Sequence, residues 1–223
     1  MRYVLVPGAC HGGWWYDPVV DRLRAAGHIA DAVTLAGLDP DGPPAPATNL
    51  DTHVAQVEAL LDGGPEPLVL VGHSYGGSVI TSVADRHPDQ VAGLLYLDAF
   101  VPEDGDSCWT MTNDQQRQWY VAGSSDTGLA VQPLPFFDRR ARPQPIGTFL
   151  QAAQIIGNYR RITNKHYVLA ADPGWMPDSP FPVIAERLRT EPDWVVTDLD
   201  CRHNVLADGP DKIMPILDQL AAS

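Results

Sequence analysis

The string Gly72-His73-Ser74-Tyr75-Gly76-Gly77 follows a run of four apolar residues, 68–71, and opens a segment with helical spacing. A strand that turns into a helix within two residues forces its turning residue into a strained backbone conformation, and neighbouring side chains would collide with both elements. Glycines two before and two after Ser74 remove those collisions. The turn lifts the serine hydroxyl above a sheet edge at a helix N-terminus, where backbone N–H groups favour developing negative charge. A glycine-rich turn with a capping serine shares these letters but does not call for a buried strand before it. The context therefore points to a nucleophilic serine on a parallel α/β sheet.

The rest of the chain reads the same way. Residues 3–6 form a buried strand ended by Pro7-Gly8, and 17–26 a helix with Val19, Val20 and Leu23 on one face and Gly27 beyond its end. Residues 29–35 suit a second strand, the Pro/Gly-rich stretch 39–47 a loop, and 50–61 a helix carrying Val54, Val57 and Leu61. After the helix from Gly76 to Pro88 comes an apolar strand, 91–97, closing on Asp98. From about 103 to 164, aromatics, glutamines and prolines mingle without strand alternation, which marks a cap inserted between two strands. The sheet resumes at 167–171, Ser179-Pro180 starts a helix, and 194–199 and 212–220 are the last strand and helix. The expectation is a doubly wound, mostly parallel sheet with a small inserted helical cap. It is one domain, with core 1–102 and 165–223 and cap 103–164.

Composition narrows the partners. The formal net charge is −13, which disfavours nucleic acid or an anionic membrane and leaves a small molecule as the expected partner. Cys10, Cys108 and Cys201 are odd in number and irregularly spaced, so they suggest neither a disulfide framework nor a metal site. The apolar start is too short for a signal peptide, and no stretch approaches the ~18 apolar residues of a membrane span. A cytoplasmic location is expected. No cofactor is expected either, because the loop 7–13 lacks G-x-G-x-x-G spacing and no acid ends the next strand.

A serine hydroxyl needs a base, and in this kind of fold the chain order is serine, acid, histidine. His203, in a short loop after the last strand, fits that order. His11, His28, His53 and His73 precede the serine, His87 ends a helix, and His166 starts a strand on the opposite edge. The acid is open between Asp98 and Asp172, since both end parallel strands on the catalytic edge. Asp98 is favoured as an isolated acid among Leu97, Ala99 and Phe100, whereas Asp172 reads as the start of an Asp-Pro-Gly turn. The tetrahedral oxyanion needs two backbone donors. One is the N–H of Tyr75, and the other lies in the loop from Pro7 to Gly13.

At these residues the chain resembles the α/β-hydrolase superfamily, and within it the group of plant methyl-ester esterases, hydroxynitrile lyases and their bacterial relatives. The resemblance covers residues 4–38, the serine turn, 96–102 and His203, but not the middle from about 104 to 164. It implies Ser74 as nucleophile, His203 as base, and Ala9 and Tyr75 as oxyanion donors. Pro7-Gly8 stands where the group usually has His-Gly. Plant relatives place the acid after the later strand, here Ala171-Asp172-Pro173, while bacterial relatives carry Leu-Asp-Ala-Phe-Val-Pro, here at 97–102. The lyases have a threonine in the oxyanion loop and a lysine after the catalytic histidine. Gly8 and Asn204 stand there in this chain, which favours an esterase.

The cap holds Trp109, Trp119, Tyr120, Phe136 and Phe137, and Trp14, Trp15 and Trp175 lie near loop edges. Trp14, Trp109, Trp119 and Tyr120 are expected to line an apolar substrate pocket, with about half of the cap aromatics serving as its own core. The expected activity is cleavage of a small, largely apolar ester by a Ser-His-Asp triad through an acyl-enzyme. The rivals are a lyase, cyclase or decarboxylase using the same pocket, and a non-catalytic small-molecule binder.

Overall fold

The computed structural model describes residues 1–61, 64–172, 174, 178–207 and 209–222. Trp175, expected near a loop edge, and Pro173, expected in the turn after Asp172, lie outside the described residues.

Strand β1 (Arg2–Val6) is buried throughout and leads through a loop into helix α1 (Asp17–Ala25). Pro18 and Asp17 suit the first turn of α1, and Arg22 and Arg24 the last, as the helix dipole favours. Strand β2 (Ile29–Ala32) ends three residues before the expected 35. Beyond it, Gln56 takes over the pairing: its Nε2–H donates to Thr34 O and its Oε1 accepts from Ala36 N–H. Gln56 lies on α2 (Leu50–Glu58), which starts with Asn49 and Thr52 satisfying each other's backbone N–H groups. Strand β3 (Leu68–His73) then enters α3 (Gly76–Arg86), and β4 (Val91–Leu97) follows.

Between β4 and the next sheet strand the chain forms α4 (Cys108–Met111), α5 (Asp114–Gly123), β5 (Ala130–Val131), β6 (Gln144–Pro145) and α6 (Gly147–Leu150). This segment is mixed rather than purely helical. β5 and β6 pair antiparallel over two residues each, too few to show any alternation in sequence. Asp85, buried on α3, ties the end of the segment down by accepting from Ile156 N–H at 2.7 Å and Tyr159 N–H at 3.1 Å. Strand β7 (Lys165–Asp172), α7 (Phe181–Arg189), β8 (Trp194–Arg202) and α8 (Met214–Ala222) complete the chain. Helix α7 begins one residue after Pro180, with Ser179 Oγ accepting from Phe181 N–H. β8 runs three residues past the expected 199 because it stays paired with β7 as far as Asp172 opposite Arg202.

The six-stranded sheet has the order β2-β1-β3-β4-β7-β8 and every pairing in it is parallel. Both faces are covered, so β1, β3 and β4 are apolar on consecutive residues. Tyr3, Leu5, Val69, Val71, Leu95 and Leu97 pack with residues of α1 and α8. Val4, Val6, Leu68, Leu70, Leu94 and Tyr96 pack with α2, α3 and α7. The strand order reverses at β1 and β3, which opens a crevice at their carboxyl ends, where ligands bind in sheets of this kind. No helix among the described residues is long and apolar enough to cross a membrane.

Candidate active site

Ser74 sits at the carboxyl end of β3 with φ +51°, the left-handed region that an L side chain avoids. The surroundings enforce it. A Cβ on Gly76 would come 2.3 Å from Val6 O, and one on Gly77 2.2 Å from Phe100 O, so β1 and the segment after β4 press directly on the start of α3. A Cβ on Gly72 would lie 2.8 Å from Gly76 O. Ser74 N–H donates to Leu97 O, and Ser74 O accepts from Gly77 and Phe100 N–H groups, which locks the turn from both neighbours. Gly8 is required too: a Cβ there would meet His73 Nδ1 at 2.6 Å.

The three groups sought from sequence converge. His203 Nε2 lies 3.2 Å from Ser74 Oγ, and His203 Nδ1 lies 2.6 Å from Asp98 Oδ2. Asp98 is buried, and its other oxygen accepts from Ala170 N–H at 3.1 Å. It too has a left-handed backbone, φ +44°, which turns its carboxylate back over the end of β4. Asp172 is exposed, and its Oδ1 accepts from Gly174 N–H at 2.9 Å, the turn-starting role that its neighbours suggested. Of the two acids, Asp98 is the one at His203 Nδ1.

His203 is held from two sides. Phe181 stacks on the His203 ring at 5.1 Å with an interplanar angle of 7°. His73 Nε2–H donates to His203 O at 2.8 Å, Trp15 stacks on His73 at 4.3 Å, and Trp15 Nε1–H donates to Asn204 Oδ1. Chain order ruled out His73 as the base, and this holding role at the serine turn was not read from the sequence. Burial holds the His73 pKa well below its ordinary value, so the ring stays neutral. His53 Nε2–H donates to Ala36 O and its Nδ1 accepts from the Tyr75 hydroxyl. His87 pairs with Glu58, and His166 is buried within β7 at the amino end.

Ala9 and Tyr75 flank Ser74, and among the described residues neither backbone N–H has an acceptor. Both residues line a cavity of about 550 Å³ that also contains Ser74 and His203. The inserted segment supplies Gln116, Trp119, Tyr120, Phe136, Phe137 and Phe149 to its walls. Trp14 stands at the rim, where the Arg140 guanidinium lies 4.1 Å over its ring. Arg140 also hydrogen-bonds Asp138 and holds its carboxyl down at about 2. Trp14, Trp119 and Tyr120 are thus in the lining as expected. Trp109 is not: it packs beside Tyr120 and under Arg117, because α4 presents it to α5. Tyr120 and Phe149 stack at 4.2 Å and form the buried centre of the segment while also facing the cavity. Gln116, with Asp138 and Arg140, had no sequence signal beyond ordinary polar composition.

A parallel sheet covered on both faces, with a strained serine at the strand-to-helix turn beside a histidine and a buried aspartate, defines an α/β-hydrolase fold. The sequence profile of the alpha/beta hydrolase family matches residues 3–219, and the chain belongs to that family. It is 33% identical to a "Carbendazim hydrolyzing esterase" of Nocardioides sp. (strain SG-4G), over 95% of this chain and 96% of that protein. It is 37% identical to "Esterase PIR7B" of Oryza sativa subsp. japonica, over 61% of this chain and 57% of the other. An extracellular alpha/beta-hydrolase from a Paenibacillus species superposes with a TM-score of 0.80 over 98% of this chain and 97% of its own. At 20% identity that likeness speaks to the fold. With the family established over nearly the whole chain, the protein is a hydrolase of the esterase class.

Proposed function

We propose that this protein hydrolyses a small, largely apolar carboxylic ester through an acyl-enzyme on Ser74. The observation that carries the reading is the unbroken chain from Ser74 Oγ to His203 Nε2 at 3.2 Å and from His203 Nδ1 to Asp98 at 2.6 Å. A carboxylate cannot donate, so the proton between Asp98 and His203 belongs to Nδ1. That leaves the Nε2 lone pair to take the serine proton.

Ser74 Oγ attacks the ester carbonyl carbon as His203 Nε2 takes its proton. The carbonyl oxygen becomes an oxyanion that the Ala9 and Tyr75 N–H groups receive. Collapse breaks the bond to the alcohol oxygen, which leaves with the proton from His203. Water then repeats the sequence on the acyl-serine, giving the acid and restoring Ser74. The aromatic walls from Trp119, Tyr120 and Phe137 favour an apolar ester. The relatives' names point the same way, since they include methylesterases of Arabidopsis thaliana and a "Pyrethroid hydrolase" of Sphingobium wenxiniae.

The test is hydrolysis of p-nitrophenyl acetate and butyrate by wild type and Ser74→Ala. Loss of at least about a thousandfold in kcat is expected, as for a nucleophile whose removal leaves only binding and the oxyanion donors. Equal rates overturn the assignment. Turnover of another substrate class without labelling by a fluorophosphonate overturns ester hydrolysis in favour of lyase-type chemistry in the same pocket.

A further inference from the structure

The oxyanion arm contains a backbone conformation that its own sequence does not favour. His11 N–H donates to Gly8 O, so Gly8-Ala9-Cys10-His11 closes as a β-turn. Cys10, at its third position, has φ +67°, while Ala9 is not among the residues with positive φ. That combination is a type II turn, whose third position ordinarily takes glycine or asparagine because a Cβ crowds the left-handed region. With a cysteine there, the local preference is the type I turn, in which the peptide between Ala9 and Cys10 is rotated by about half a revolution.

Both ends of that peptide are held by side chains. Ala9 O accepts from His11 Nδ1–H at 2.7 Å. Cys10 N–H donates to Gln144 Oε1 at 2.9 Å, and Gln144, the first residue of β6, is fully buried. Gln144 is itself oriented, since its Nε2–H donates to Thr148 Oγ1 at 2.8 Å and the Thr148 hydroxyl donates to Pro145 O at 2.7 Å. Arg142 N–H, two residues before Gln144, donates to Cys10 O. A polar chain in the inserted segment therefore holds the Ala9–Cys10 arm of the site.

We propose that Gln144 is a positioning residue that anchors the Ala9–Cys10 turn through the Cys10 N–H and so keeps Ala9, with its N–H, in place beside Ser74 as an oxyanion donor. This rests on the reading of Ala9 as an oxyanion donor. It makes the inserted segment part of the device that stabilises the transition state, as well as a wall of the pocket. Without the amide oxygen, the buried Cys10 N–H loses its acceptor, the turn loses its anchor, and Ala9 is no longer held at one distance from the oxyanion.

The test compares wild type, Gln144→Met and Gln144→Glu in p-nitrophenyl butyrate hydrolysis. A donor that matters in the transition state and not in the ground state changes kcat and kcat/KM together and leaves KM alone. Loss of one oxyanion donor costs about 100- to 1000-fold, so its misplacement in Gln144→Met should lower kcat by about 10- to 100-fold with KM within about threefold. Gln144→Glu, which as a buried neutral acid keeps both an acceptor and a donor, should recover most of that loss. Adding Cys10→Gly, which tolerates a positive φ without help, should shrink the effect of Gln144→Met. An unchanged kcat in folded Gln144→Met refutes the brace, as does a fall in kcat that Cys10→Gly and Gln144→Glu leave untouched. If Gln144→Met does not fold, Thr148→Val, which frees the Gln144 amide, should still lower kcat at constant KM, and an unchanged kcat there refutes the brace. Failure of the wild type to take a fluorophosphonate label on Ser74 refutes the underlying acyl-enzyme reading instead.

Discussion

Replacing Asp98 by asparagine tests the charge behind the base, and the geometry sets the size of the effect. Asp98 Oδ2 lies 2.6 Å from His203 Nδ1, and the carboxylate is almost wholly buried. When Nε2 takes the serine proton, the ring becomes a cation facing that carboxylate. Placing the two charge centres about 4 Å apart at an effective dielectric of ~20, their attraction is about 4 kcal/mol. Each 1.36 kcal/mol is a factor of ten in rate, so Asp98→Asn should lower kcat by about a thousandfold. The amide also offers an N–H toward Nδ1, which favours the wrong tautomer and makes this a lower bound. Asparagine preserves the acceptor for Ala170 N–H, so the fold should survive. Steady-state hydrolysis of p-nitrophenyl butyrate by wild type, Asp98→Asn and Asp172→Ala, with circular dichroism to verify folding, makes the comparison. Asp172→Ala removes an exposed carboxylate occupied with Gly174 and should stay within about twofold. If folded Asp98→Asn keeps kcat within tenfold of wild type, or Asp172→Ala falls as far, the assignment of the acid is wrong.

Two further expectations concern stability. Burial lowers the His53 pKa to about 4, so as pH falls the unfolded chain protonates this side chain first. The native state is fully favoured above about 6.5 and loses about 3 kcal/mol as pH drops toward 4. His53→Gln should flatten that part of the pH dependence of urea unfolding, and identical slopes in both proteins would falsify the burial argument. Gly76→Ala would place a methyl 2.3 Å from Val6 O, where about 3.4 Å is needed, so backbone must move by about an ångström. The cost should be about 3 kcal/mol, or a Tm lower by roughly 6–12 °C, and a shift under about 2 °C would show that β1 and α3 separate more easily than described.

The centre of the sheet was legible because β1, β3 and β4 are almost wholly buried and carry mostly apolar residues, as at 68–71 and 91–97. The serine turn was legible because only glycine fits against Val6 O and Phe100 O. The acid was not, since Asp98 and Asp172 end neighbouring parallel strands and only register separates them. Leu97 pairs with Val168, so Asp98 is level with Leu169 and Asp172 stands three residues further on, about 10 Å beyond the level of the base. The inserted segment was opaque for a different reason. A two-residue ribbon has no period, and Gln144 reads as one more polar residue until β6 brings it under Cys10. Trp109 and Tyr120 are close in sequence and both aromatic, and only the packing of α4 on α5 decides that Tyr120 faces the cavity and Trp109 does not.

The contact between His73 and His203 bears on timing as well as position. His203 follows the last strand, 129 residues from Ser74, and would be the loosest member of the site if that strand alone carried it. Instead the residue next to the nucleophile grips the base's own carbonyl, and Phe181 lies flat against its ring. His203 is thus held from the serine turn as well as from the carboxyl-terminal strand. In the proposed mechanism the distance from Ser74 Oγ to His203 Nε2 is then set before substrate arrives, and part of the entropy of aligning donor and acceptor is spent during folding.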